Sequence, residues 1–355
     1  MEHSRDVTVA QVDDFDDVVD VRSPAEYALD HIPGAINHPV LDDDERAHIG
    51  TMYTQLSPFA ARRAGAALVA RNIAHILETR LQDRPPGWSP LVYCWRGGGR
   101  SDALCEVLRR VGWRAARLQG GYQAYRRAVV AALETLPQAY DYRVLCGRTG
   151  SGKSQVLEAL AELGAQVLDL EALASHRGSV LGDVPGCPQP TQKMFESRLW
   201  RRLHTLDRSR PVFVEAESRK VGNLQVPGAL IAAMRDSPCA IVQAPTAVRS
   251  ALLMQHYAHF LEHDTLLAER LRALTSHYGR ATIEHWCTLA SAGRHHELVA
   301  ELLEQHYDPA YDRSITRNFV RVCEAPTYRL DCASTPAIRA VAAQILADCA
   351  HGQPA

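Results

Sequence analysis

Apolar residues in the N-terminal third of the chain form short runs that alternate with stretches of helical spacing. The runs at 17–21, 91–93 and 114–118 are typical of buried strands. Intervals of three and four between apolar residues over 61–84 predict a helix. Further helices are predicted from Pro24, which follows Ser23, and over 101–111, where Gly112 ends the helix. Strands that alternate with helices indicate a parallel α/β sheet.

The rest of the chain repeats this alternation and then becomes mainly helical. Strands are predicted at 142–146, 167–170, 211–215 and 240–243, helices at 155–163 and 198–206, and a proline- and glycine-rich loop at 181–192. We therefore predict two α/β domains, at residues 1–132 and 143–245. A linker at 133–142 joins them, and a mainly helical region at 246–355 follows.

Composition excludes several classes of protein. The 355 residues exceed what one ordinary core holds. The chain has no run of about 18 apolar residues, which argues against a membrane span, and its acidic N-terminus lacks the apolar segment of a signal peptide. We therefore expect a cytoplasmic protein. Nine scattered cysteines without a Cys-x-x-Cys pair argue against a disulfide framework or a structural metal. The net charge of −2 neither indicates nor excludes nucleic-acid binding.

The segment VYCWRGGGRS places a thiol directly after a predicted strand, and a glycine-rich loop leads from it into a helix. The backbone N–H groups of such a loop and the helix N-terminus stabilise an anion or a thiolate, which suits attack on sulfur, selenium or phosphorus. We predict Cys94 as the nucleophile, with Arg96 and Arg100 lowering its pKa. The predicted anion cradle comprises Gly97, Gly98, Gly99 and Ser101. The alternative is a buried cysteine followed by a flexible glycine turn.

An earlier segment, DVRSPAEYALDHIPGAINHPV, and the cysteine loop together resemble the rhodanese family over about residues 5–130. The resemblance implies a rhodanese-like parallel sheet domain in which Cys94 carries a transferable group, as the persulfide cysteine of that family does. Asp20 and His31 of the signature are expected to be structural. The Cys-x5-Arg-Ser spacing is one residue longer than in many thiosulfate-type rhodaneses and equals that of cell-cycle dual-specificity phosphatases. A longer loop suits a larger tetrahedral anion, so phosphatase activity stays open.

The segment GRTGSGKS matches the pattern G-x-x-x-x-G-K-[ST] between a predicted strand and a predicted helix. This context predicts a P-loop NTPase-like domain. Lys153 would supply a charge to phosphate oxygens, and the Ser154 hydroxyl is the candidate Mg²⁺ ligand. The whole predicted phosphate-binding loop is Gly147, Arg148, Thr149, Gly150, Ser151, Gly152, Lys153 and Ser154.

Charged residues follow the apolar strand VFVE. Glu215 stands where a second acidic group near Mg²⁺ is expected, but a surface acid at the end of a strand fits the sequence equally well. Arg219 and Lys220 are candidates for contacts with phosphate or RNA, and an ordinary solvated loop would look the same.

The set of motifs, which also includes VEAESRKVG and LLEQHYDPAYDRS, resembles bacterial tRNA 2-selenouridine synthases over roughly residues 8–325. The resemblance implies replacement of sulfur by selenium in a wobble 2-thiouridine, with selenophosphate as the selenium donor. It also implies S-geranylation with geranyl diphosphate as the second cosubstrate. The implied partners are tRNA carrying wobble 2-thiouridine and an enzyme that supplies selenophosphate.

Two other functions stay open from the residues alone. A phosphatase or sulfurtransferase module with a nucleotide-binding P-loop domain predicts nucleotide turnover. An RNA-binding protein with vestigial loops would tolerate replacement of Cys94 and Lys153. The aromatic residues within 306–311 would either stack on an unpaired anticodon base or pack the end of the preceding helix.

Overall fold

Two five-stranded sheets, in which every strand pair is parallel, organise the chain in a computed structural model. The structure describes residues 6–179, 182–256, 264–272 and 274–350. Within these ranges, one compact unit comprises residues 6–132 and 191–201, and the other comprises residues 133–190 and 202–350. The predicted α/β class is confirmed.

The sheet of the first unit has the strand order β1-β5-β4-β2-β3. Its strands are β1 (Asp6–Val7), β2 (Asp17–Asp20), β3 (Ile36–Asn37), β4 (Pro90–Tyr93) and β5 (Ala116–Leu118). Its helices are α1 (Pro24–Leu29), α2 (Asp43–Gln55), α3 (Pro58–Arg80), α4 (Gly99–Val111) and α5 (Gly121–Leu133). All four residues of β4 are buried, so the strand leads out of the centre of the core to the cysteine loop.

Helix α2 was not predicted from the sequence, because none of its residues is buried and it therefore has no apolar stripe. It begins at a capping box in which the Asp42 side chain accepts a hydrogen bond from the Glu45 N–H and the Glu45 carboxylate accepts one from the Asp42 N–H. Helix α3 begins with Ser57 as its N-cap and Pro58 in its first turn.

The sheet of the second unit has the order β12-β11-β6-β8-β7. Its strands are β6 (Tyr142–Cys146), β7 (Gln166–Leu168), β8 (Val212–Glu215), β11 (Cys239–Gln243) and β12 (Thr327–Arg329), and a separate hairpin comprises β9 (Lys220–Val221) and β10 (Leu224–Gln225). The region predicted as mainly helical thus contributes one edge strand, β12, which pairs with β11.

Most of the second unit's helices follow β11. The list is α6 (Lys153–Glu162), α7 (Leu170–Ala174), α8 (Gln192–His204), α9 (Gly228–Arg235), α10 (Thr246–His256), α11 (Asp264–Arg272), α12 (Thr275–Tyr278), α13 (Arg280–Ser291), α14 (His295–Leu302), α15 (Asp308–Asn318) and α16 (Thr335–Ala350). Residues 257–263, 273 and 351–355 of the predicted helical region, and residue 181 of the predicted loop, lie outside the described residues. Among the described residues, no helix has the length and apolarity that crossing a membrane requires.

The first ten residues of α8 group with the first unit, although the sequence placed them in the domain at 143–245. Arg126 on α5 forms an ion pair with Glu196, and the rings of Tyr125 and Trp200 meet edge to face at 5.5 Å. Helical spacing identifies a helix but not the domain on which it packs, so the sequence pattern carried no signal for this grouping.

Candidate functional site

The cysteine loop wraps around the sulfur of Cys94. The Sγ accepts hydrogen bonds from the Gly98 N–H and from the Ser101 hydroxyl, each at 3.3 Å. Gly97 has a φ of 65°, and a Cβ there would lie 2.7 Å from the carbonyl oxygen of Leu118, so only glycine fits. By the same construction, a Cβ at Gly98 or Gly99 meets nothing within 4 Å. Of the three consecutive glycines, Gly97 is therefore the one that the turn requires.

The surroundings of Cys94 favour its thiolate. Burial opposes ionisation, but the hydrogen bonds from Ser101 and Gly98 and the charge of Arg100 hold the pKa of this thiol below its usual value. Cys105, in the middle of α4, shows the contrast, because burial raises its pKa to about 12. The hydrogen bonds and charge of the loop thus outweigh the effect of burial on the pKa of Cys94.

The two predicted arginines differ in their surroundings. The Arg100 guanidinium forms an ion pair with Glu26 on α1 at 2.7 Å, so part of its charge is already balanced. Arg96 is exposed. Both line the same cavity as Cys94. The structure therefore brings together all seven residues predicted for this loop.

The rhodanese-like signature residues of the earlier segment make contacts among themselves. Asp20 and Arg22 form a fully buried ion pair at 2.6 Å. The His31 ring stacks on Tyr27 at 3.7 Å, and its Nδ1 lies 2.9 Å from the Tyr27 carbonyl oxygen. These contacts are structural in kind.

The phosphate loop of the second unit connects β6 to α6. Gly147 has a φ of 152°, and a Cβ there would lie 2.4 Å from the carbonyl oxygen of Val242. Lys153 opens α6, and its Nζ donates a hydrogen bond to the Gly147 carbonyl oxygen at 2.8 Å. The lysine thus folds over the loop in the position from which it could contact a bound phosphate.

Helix α15 lies against this loop, which the sequence did not reveal. The Gly147 N–H donates a hydrogen bond to the Tyr311 hydroxyl at 2.6 Å. The Arg148 guanidinium forms an ion pair with Asp312 at 2.6 Å. The Tyr311 hydroxyl therefore occupies a backbone donor of the phosphate loop.

A second arginine links the same elements. Arg249 on α10 is buried, and its Nε donates to the Thr149 carbonyl oxygen at 2.9 Å. Its Nη1 donates to the Asp308 carboxylate at 2.9 Å. Charge-assisted bonds of this kind fix the position of a loop strongly. Together with Tyr311, this arginine ties the phosphate loop to α15.

Three carboxylates meet beside the loop. Glu171 on α7, Glu215 at the end of β8 and Glu217 each offer an oxygen, and these oxygens lie within 4.8 Å of one another. Glu215 is 7% exposed and forms a hydrogen bond with the Ser154 hydroxyl, so the alternative of a surface acid is wrong. Burial, and then the charges of the neighbouring carboxylates, raise the pKa of Glu171 and Glu217.

Oxygen ligands in this arrangement fit Mg²⁺, which takes one or two carboxylates together with substrate phosphates. A cation would also relieve the repulsion that raises the pKa values of Glu171 and Glu217. The sequence motif pointed to Ser154 and Glu215 but missed Glu171 and Glu217. The only available signal was that acidic residues follow two strands, β7 and β8, of a parallel sheet.

A cavity of about 290 Å³ lies over this arrangement, and Lys153, Ser154, Glu171, Glu217 and Tyr311 line it. In the segment that follows β8, Glu217 and Ser218 are the last residues that line the cavity. Arg219 and Lys220 are not part of the lining and are exposed at the start of the β9–β10 hairpin. The structure therefore does not bring these two residues to the phosphate loop.

Comparison with protein families matches both units. Residues 5–128 match the rhodanese-like domain, which confirms the predicted rhodanese-like sheet domain. Residues 140–279 match the tRNA 2-selenouridine synthase AAA domain. A solved rhodanese-related protein from Thermoplasma volcanium aligns with 35% of this chain and 92% of its own, at 20% identity and a TM-score of 0.23.

Curated relatives match over much of the chain. A tRNA 2-selenouridine synthase from Bdellovibrio bacteriovorus is 30% identical over 86% of this chain and 90% of its own length. One from Sulfurovum sp. is 31% identical over the same shares. One from Nitrosomonas europaea is 34% identical over 68% of this chain, and the alignment spans 63% of that relative. With two domain matches and alignments of this extent, the chain belongs to the tRNA 2-selenouridine synthase family.

Proposed function

We propose that this protein replaces sulfur by selenium in the wobble 2-thiouridine of tRNA, with selenophosphate as the selenium donor and S-geranylation from geranyl diphosphate as the activating step. The observation that carries the proposal is the Cys94 loop, which combines a lowered thiol pKa with an anion cradle in a chain of this family. The relatives' name supplies the class of substrate.

The phosphate loop suits the geranylation step. The sulfur of 2-thiouridine attacks the allylic carbon of geranyl diphosphate, a C–S bond forms, the C–O bond breaks and diphosphate leaves. Backbone N–H groups of Gly147–Ser154 and the Lys153 ammonium would hold the leaving diphosphate. Ser154, Glu215 and their neighbouring carboxylates are the residues that would hold Mg²⁺, which supplies charge neutralisation at phosphate oxygens when bound.

The Cys94 loop suits the selenium step. Selenium in selenophosphate is already at the selenide level, so a selenosulfide on Cys94 would need an oxidant. Attack of the Cys94 thiolate on phosphorus needs none: an S–P bond forms, the Se–P bond breaks and hydrogen selenide leaves. Hydrogen selenide then forms the C–Se bond at C2 of the geranylated base while the C–S bond breaks and geranylthiolate departs, and water hydrolyses the S–P bond.

The test is mass spectrometry of nucleosides from 2-thiouridine tRNA incubated with the purified protein and Mg²⁺. Separate reactions contain geranyl diphosphate, selenophosphate or both. Cys94→Ser should lose the sulfur-to-selenium exchange and keep geranylation, whereas Cys332→Ser, an exposed control, should keep both. Equal loss of both reactions in Cys94→Ser would refute the assignment of the two steps to separate loops. Unmodified tRNA after incubation with correctly folded protein would refute the function.

One observation favours a second candidate. The Cys-x5-Arg-Ser spacing and the lowered pKa of Cys94 also suit phosphate ester hydrolysis. Release of phosphate from simple aryl phosphates that depends on Cys94, in protein that leaves thiolated tRNA unchanged, would establish that alternative.

A further inference from the structure

A large apolar cavity opens beside Cys94 in the first unit, between helices α2, α3 and α4. Its volume is about 1060 Å³, at the upper end of the roughly 300–1,000 Å³ found for small-molecule sites. The cradle of Cys94, Gly98 and Ser101 already accounts for a tetrahedral anion. The rest of the cavity is therefore unexplained by phosphate or selenophosphate chemistry.

The walls of the cavity are mainly aliphatic and include several small side chains, although Tyr53, Arg62 and Trp95 also line it. Helix α3 lines it with residues spaced three and four apart, which places them on one face. Among them, Ala66, Ala70 and Ala74 are exposed, and Val69 and Leu77 are half-buried. Helix α4 adds Ala103 and Val107. Among the residues that the structure describes, no aspartate or glutamate lines it.

One end of the cavity differs from the rest. There the lining includes Cys94 together with the guanidinium groups of Arg46, Arg96 and Arg100. Glu26 balances part of the charge of Arg100, but Arg46 and Arg96 are exposed. Arginine side chains around Cys94 and a mainly apolar remainder match a ligand with a polar head and an apolar chain.

We propose that this cavity binds the geranyl group after it has been attached to the wobble sulfur, so that C2 of the geranylated base lies near Cys94 when selenide displaces geranylthiolate. This inference rests on the proposed function and adds the place where the geranyl group binds. Free geranyl diphosphate carries the same group, but the phosphate loop is proposed to hold its diphosphate, so the S-geranylated wobble nucleoside is the proposed occupant of this cavity. Burial of each methylene contributes about fourfold in affinity, so a dimethylallyl group in the same site should bind at least about tenfold more weakly.

The test uses photolabelling, which needs no turnover. One arm offers a diazirine analogue of geranyl diphosphate, and the other offers 2-thiouridine tRNA carrying the same analogue on sulfur. Label from the tRNA arm in peptides of Pro58–Arg80 or Gly99–Val111 supports the proposal. Label there from free geranyl diphosphate alone overturns it. Label confined to the phosphate-loop peptides, or to no defined site, overturns it.

A matched pair of variants tests the position of the chain. Ala70→Phe fills the cavity, whereas Ala67→Phe adds the same ring to an exposed position of α3 outside the lining. We expect Ala70→Phe to lower labelling at least about tenfold and Ala67→Phe to leave it unchanged. An unchanged pH midpoint for alkylation of Cys94 shows that each variant keeps the loop intact.

These measurements separate the two proposals. Labelled cavity peptides in a protein that leaves tRNA unmodified would refute the proposed function but keep the cavity as a binding site for the geranyl group. Normal labelling and normal geranyl-dependent selenation in Ala70→Phe would refute binding of the geranyl group in this cavity but keep the proposed function.

Discussion

The hydrogen bond from Ser101 to Cys94 gives a direct measure of how the loop activates its thiol. In Ser101→Ala the Gly98 N–H remains, but the hydroxyl 3.3 Å from the sulfur is lost. That hydroxyl also lies 3.1 Å from the Gly98 carbonyl oxygen, so its bond to the sulfur is shared. We take the lower end of the range for bonds to charged groups, about 1.5 kcal/mol. This corresponds to a rise of about one unit in the pKa of Cys94.

The assay is alkylation of Cys94 by iodoacetamide as a function of pH, read from its tryptic peptide by mass spectrometry. Ser101→Ala should move the midpoint up by about one unit. Ser89→Ala, whose hydroxyl bonds to the Arg114 carbonyl oxygen instead, should not move it. An unchanged midpoint in Ser101→Ala would refute the reasoning and leave the backbone N–H groups of Gly98 and Ser101 and the charge of Arg100 as the cause.

Three further predictions concern the second unit. Lys153→Ala should weaken binding of inorganic diphosphate at least about tenfold in calorimetry, because it removes the charge over the loop. Burial raises the pKa of Glu217 to about 8 in the folded protein. The stabilisation that comes from keeping this carboxyl protonated is therefore present at low pH and is lost as the pH rises through 8. Glu217→Gln should reduce the loss of unfolding free energy between pH 6 and 9 by on the order of 2 kcal/mol, measured by urea unfolding with labelling of the buried Cys146 thiol. Tyr311→Phe frees the Gly147 N–H and should tighten diphosphate binding severalfold.

Each of these predictions has a clear contrary result. Full diphosphate affinity in Lys153→Ala would mean that the ligand does not reach the loop. An equal pH slope in Glu217→Gln and the unsubstituted protein would mean that this carboxyl ionises freely in the folded state. Weaker binding in Tyr311→Phe would mean that the hydroxyl contacts the ligand rather than competing with it for the amide.

The parts of the site that sequence could predict are those whose residues are contiguous. Cys94 and its loop lie between β4 and α4, and Gly147 to Ser154 lie between β6 and α6, so a strand, a turn and a helix fix each group locally. A short pattern of residue types is then enough to identify the group.

The residues that sequence did not predict come from distant segments. Tyr311 reaches Gly147 across 164 positions of the chain. Glu171 and Glu217 each follow a different strand, and only the parallel order of β7 and β8 brings their carboxylates together. Strand β12 is three residues long, too short for an alternating pattern, and exists because β11 offers it an edge.

The attachment of α15 to the phosphate loop has a thermodynamic consequence. Because the Tyr311 hydroxyl holds the Gly147 amide, and Asp308 holds the arginine that bonds to Thr149, an anion that claims those donors must also change the free energy of the helix. Linkage is reciprocal, so anything that binds or shifts α15 alters the affinity of the loop by the same factor. We therefore expect occupancy of the phosphate loop and the position of α15 to be thermodynamically coupled.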